Sequence, residues 1–119
     1  MPRRIDPAIG RAAVERASAE APDRDVTATA VRYLLQELGD RAPGRSVEVR
    51  VPPFGVAQCI EGTSHRRGTP PAVIEMDAPT WIALGAGTTT WADAVARGQV
   101  QASGERADLS HLLPLVTQE

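Results

Sequence analysis

Among its 119 residues the chain has one cysteine, Cys59, no lysine, no asparagine and only 3% aromatic side chains. A lone cysteine cannot close an internal disulfide, so no disulfide framework supports the fold, and a reducing, cytoplasmic compartment is the expected address. All 13 basic residues are arginine, which excludes Schiff-base or amine-nucleophile chemistry on a lysine side chain. Net charge is −2 and the arginines are spread along the chain, so there is no basic stripe to concentrate phosphate contacts and no nucleic-acid partner is expected. No apolar run reaches transmembrane length, and the residues after Met1-Pro2-Arg3-Arg4 alternate polar and small; neither secretion nor stable membrane insertion is expected.

What remains is ordinary globular composition, 42% hydrophobic and 24% charged, in a chain long enough for one core. The expectation is one α+β domain over residues 1–119, with residues 1–24 forming a peripheral N-terminal helix and linker. Asp6-Pro7 opens that helix, which should run to about Ser18 with a thin apolar face of Ile9, Ala13 and Ala17 and a loose attachment. The next helix is better specified, because Val31, Leu34, Leu35 and Leu38 follow the i, i+3, i+4, i+7 spacing of one face; Gly39 is its expected stop.

Ser46 to Val51 alternates, with Val47, Val49 and Val51 on one side and Glu48 and Arg50 on the other, as a strand with one buried face requires. Pro52-Pro53 ends it. Gly55 to Glu61 reads as the returning hairpin strand, with Val56 and Ile60 sharing a face, and Ala72 to Met76 as a third strand beyond a polar loop. Asp77 resembles an N-cap for a short helix through Trp81 and Leu84, stopped by Gly85 and Gly87, and Thr90-Trp91-Ala92-Asp93 fits a capping box for another, with Trp91, Ala94 and Val95 inward and Gly98 as the stop. Val100 to Ser103 is strand-like. Asp108 should cap a last helix carrying Leu109, Leu112, Leu113 and Val116, shortened or kinked by Pro114.

From Asp77 to Leu115 the succession WIALGAG, TWADAVARG, QVQASG and ADLSHLLPL resembles the C-terminal part of sterol-carrier-protein-like domains, and the whole chain is similar to short bacterial sterol-carrier-like proteins found in actinobacteria. The resemblance implies a small antiparallel sheet covered on one face by helices, with an apolar tunnel between the layers. It implies non-catalytic binding or carriage of a fatty-acyl chain, acyl-CoA, lipid or sterol-like molecule, with no cofactor. Carried over to this chain, the lining would be Val49, Val56, Ile60, Trp81, Leu84, Trp91, Val95, Val100, Leu109, Leu112 and Leu113. Pattern alone does not separate a lined cavity from a filled core. The alternative is therefore a protein-interaction or enzyme-accessory module with a filled core, a partner protein and no ligand. Few aromatics, and small Ala92, Ala94 and Ala96 on the capped helix, make an acyl chain a better fit than a sterol ring system.

Candidate chemistry is thin. Cys59 and His65 are near in sequence, and an imidazole can activate a thiol, but glycine lies between them and a buried structural cysteine is the default. Asp108, Ser110 and His111 have triad residue types, yet neighbours one or two positions apart on a helix point in different directions. His65 and His111 are the only histidines and fit no metal-ligand spacing, so no metal is expected and the chain reads as no enzyme. His65, Arg66 and Arg67, in a polar loop, are candidates for an anionic head group such as an acyl-CoA phosphate, against the plainer reading of a solvated loop.

Overall fold

A computed structural model of the chain describes residues 4–62, 71–104 and 107–116. In chain order the elements are α1 (Pro7–Ala19), α2 (Arg24–Arg41), β1 (Val47–Val51), β2 (Gly55–Cys59), β3 (Ala72–Glu75), α3 (Ala78–Ala86), α4 (Trp91–Ala96), β4 (Gln101–Ser103) and a single 3-10 turn, Ser110–Leu112. Among the described residues the four strands form one sheet in the order β2-β1-β3-β4. The fold is α+β, as the sequence leads one to expect.

Each α-helix starts where its sequence offers an oxygen to the free amides of the first turn. Asp6 accepts from the Ala8 amide at 3.0 Å, Asp23 from Val26 at 2.8 Å, Asp77 from Thr80 at 2.9 Å, and the Thr90 hydroxyl from Asp93 at 3.1 Å. Three helix expectations shift. The α2 helix runs through Gly39 to Arg41 and ends at Ala42, because Pro43 disfavours helical backbone in the residue before it. The α3 helix passes through Gly85, the first of its two expected stops, and ends at the second, Gly87, which takes the left-handed conformation at φ 80°. The expected last helix shrinks to the turn Ser110–Leu112, since Pro114 supplies no amide to continue it.

The sheet is mixed rather than wholly antiparallel as expected: its outer pairs, β1 with β2 and β3 with β4, are antiparallel, and its central pair, β1 with β3, is parallel. The parallel pair follows from the route of the chain. Cys59, ending β2, and Ala72, opening β3, both lie opposite Val47, so the chain leaves one neighbour of β1 and enters the other at the same end. Val47, Val49, Val51, Cys59, Ala72 and Ile74 are buried on the helix-covered face. Glu48, Arg50 and Gln58 occupy the other face, where Arg50 Nε donates to Glu48 at 2.6 Å.

The N-terminal helix is attached more firmly than its sequence suggests. It packs on α2 and α3 through Gly10, Ala13 and Val14, while Ile9 points outward. Gly10 is what permits the contact, because a Cβ there would fall 2.2 Å from the Tyr33 ring. The bare backbone of α1 thus rests on the buried tyrosine of α2. The apolar face is therefore turned from the Ile9 side to the Gly10–Val14 side.

Candidate functional site

The eleven side chains considered as lining fall into three groups. Val49, Trp81, Leu84 and Leu109 are completely enclosed, each with 0% of its surface exposed. Ile60, Trp91, Val100, Leu112 and Leu113 are half-buried and pack against the core. Val56 and Val95 are exposed. A side chain beside an empty space wide enough for water would present area to that space. At Val49, Trp81, Leu84 and Leu109 the interior is filled.

Trp81 is fixed as well as buried. Its indole Nε1–H donates to the Val31 carbonyl of α2 at 3.2 Å, which satisfies the one polar atom of the largest enclosed side chain. Leu34 of α2 closes on α3 at Gly85, where a Cβ would stand 2.7 Å from a leucine methyl. Together these contacts hold α3 on α2 and fix Leu84 in the same core.

The sheet register explains the two outliers among the strand residues. Val49 faces Ala57 across the β1–β2 pair, whereas Val56 faces Arg50 on the opposite side of the sheet. Ile60 does not continue the alternation with Val56, because it lies beyond β2 with φ at +62°, a backbone conformation rare for a β-branched residue. It is held there by its amide donating to Ala42 O at 2.7 Å and by Ser46 donating to its carbonyl from both N and Oγ, at 2.9 and 2.6 Å. On α4 the inward position is Ala94, and Val95 is carried round toward solvent.

Three clefts between described residues lie away from this set. One of about 180 Å³ is bounded by Ala17 and Ser18 of α1, Thr27 of α2, and Ile82 and Ala83 of α3; none of the eleven side chains lines it.

Polar candidates have plain structural roles where they are described. Cys59 is enclosed on the inner face of β2, and burial pushes its thiol up to about 11, so at neutral pH it is a protonated thiol rather than a nucleophile. Its considered partner His65 lies outside the described residues, as do Arg66 and Arg67. Asp108 accepts from the Ser110 amide at 2.7 Å, and that bond holds its carboxyl below the usual range, with His111 a minor influence. This is a turn cap on an exposed segment. Among the described residues no three His, Cys, Asp or Glu side chains are grouped to hold a metal ion.

The residues that reasoning from sequence missed are those the fold brings together from afar. Leu115, which the expected helix face left out, is buried beside the expected Val116, and the amides of both donate to Gly85 O, at 2.9 and 3.1 Å. Arg41, more than seventy positions earlier, donates to the Leu112, Pro114 and Leu115 carbonyls. Nothing in local pattern announces either contact.

A family model described as bacterial SCP ortholog matches residues 23–115, from the cap of α2 to the C-terminal segment. The chain belongs to this family. The bacterial sterol-carrier-protein orthologues are thus the group that the succession from Asp77 to Leu115 resembles. The match begins after α1, so the helix resting on Tyr33 is outside the matched span. No curated protein matches the chain. Membership suggests a lipid-binding or carrier role, in a family generally of non-catalytic carriers. No helix among the described residues is long and apolar enough to cross a membrane.

Proposed function

We propose that this protein is a non-catalytic carrier that takes up a small apolar or amphipathic molecule, best an acyl chain, between its sheet and its helices. The observation that supports this most is the half-buried apolar set, Ile60, Trp91, Val100, Leu112 and Leu113, packed around an enclosed apolar centre in a chain of the sterol-carrier family. A hydrocarbon tail needs no precisely placed polar partner, since each buried methylene contributes about 0.8 kcal/mol. Because Val49, Trp81, Leu84 and Leu109 already fill the centre, uptake requires part of the cover to move. The lightest cover is α4, which buries only Ala94, together with the C-terminal segment. The anionic end of an acyl-CoA would fall to His65, Arg66 and Arg67. Replacing both arginines by alanine is then expected to weaken acyl-CoA binding more than fatty-acid binding.

The complete enclosure of Val49, Trp81, Leu84 and Leu109 favours a second reading, an interaction or enzyme-accessory module whose core never opens. One experiment separates the two. Protein purified without added lipid is denatured, extracted and examined by mass spectrometry, and the intact protein is titrated with oleate while tryptophan emission is followed. Co-purifying fatty acid or phospholipid together with a saturable emission change supports carriage. A clean extract and constant emission leave the module.

A further inference from the structure

The C-terminal segment of the described chain is held at its edges by two sets of main-chain contacts. On one side Arg41 Nη1 donates to Leu112 O at 3.1 Å and to Pro114 O at 2.9 Å, and Nη2 donates to Leu115 O at 3.0 Å. On the other, the Leu115 and Val116 amides donate to Gly85 O near the end of α3. Pro114 sits against Gly87, where a Cβ would be 3.2 Å from the proline ring. Leu109, Leu115 and Val116 reach from this segment into the same apolar core as Trp81 and Leu84.

No helix runs on through Pro114 to use the Leu112, Pro114 and Leu115 carbonyls, and one planar guanidinium serves all three. Only a fork of fixed donors can span them; an ammonium on the same backbone position is a point donor. Arg41 itself is exposed at the end of α2, so each of its bonds trades against water and is individually weak. A segment anchored by three apolar side chains and tied through an exposed arginine belongs among the parts of a fold that open before the whole unfolds.

We propose that Arg41 is the latch of a C-terminal strap, Ala107 to Val116, which opens as a unit and controls access to the interior beside α3. The access half of this proposal rests on the carriage reading; the latch itself does not. Arg41 is a positioning residue and touches no ligand.

Amide hydrogen exchange on the full chain tests the latch, with Arg41→Ala, Arg41→Lys and, as a neighbouring control, Arg4→Ala, which removes the ion pair with Asp40 but leaves the strap alone. Arg41→Ala is expected to speed exchange of the Leu115 and Val116 amides about tenfold or more while the amides of β1 keep their rate, with Arg41→Lys intermediate and Arg4→Ala unchanged. Unchanged exchange at Leu115 and Val116, or an equal acceleration in β1, overturns the latch. Stopped-flow uptake of cis-parinaric acid tests access. Faster uptake by Arg41→Ala supports control by the strap, and uptake at the same rate in both proteins overturns it. Faster exchange with no uptake by either protein upholds the latch and overturns carriage instead.

Discussion

Cys59 shows how one enclosed side chain couples local environment to behaviour in solution. Burial disfavours the thiolate and pushes the folded thiol up to about 11, from the ordinary value of 9.0. Below about pH 8 neither folded nor unfolded chains ionise there appreciably and nothing is lost; from there to about 11 the unfolded chain gives up the proton first. Stability should therefore fall by roughly 2 to 3 kcal/mol across that window, and Cys59→Ala or Cys59→Ser should remove this part of the pH dependence in urea titrations. Native protein at pH 8 should also resist iodoacetamide until denaturant is added. Trp81 gives a second test at this scale. Trp81→Ala deletes the largest enclosed side chain and leaves a cavity, and should cost about 3 to 5 kcal/mol by denaturant midpoint. Trp81→Phe should cost clearly less, losing the Nε1–H bond to Val31 O but keeping most of the apolar volume.

Among the elements, α1 depends on the absence of one side chain. Gly10→Ala would drive a methyl into the face of Tyr33, and because that ring is enclosed it cannot swing aside; the helix must lift, at about 1 to 3 kcal/mol. Differential unfolding in urea measures this, and Ala13→Gly serves as a control for helix propensity without a clash. The helix caps at Asp6, Asp77 and Thr90 were legible because a capping oxygen acts within three residues of itself. The inward face of α1 was not, since choosing Gly10 and Val14 over Ile9 needs knowledge of Tyr33 on another helix. The outward turn of Val56 was hidden for a related reason: Ile60 has the apolar character of a strand residue, and only its left-handed backbone breaks the alternation. The short C-terminal turn was half legible, with Pro114 marking where helix must fail but not that Arg41 would gather the freed carbonyls.

At the scale of the whole molecule, the family span begins at residue 23, yet the fold places α1 over the buried ring of α2. A chain begun at Asp23 should therefore be less stable than the full chain, by at least the 1.5 to 3 kcal/mol that covering one large side chain contributes, as read from its thermal or urea transition. Layering of helices on a sheet could be read from alternation in β1 and the periodic face of α2. Whether the layers enclose space could not, because Trp81 and Leu84 give the same pattern in a lined tunnel and in a solid core. The meeting of Cys59 and Ala72 on either side of Val47 carries one more consequence. A slip of β1 by a single residue would turn Val47, Val49 and Val51 toward solvent and misalign both neighbours together, so the alignment of three strands is decided in one step rather than pair by pair.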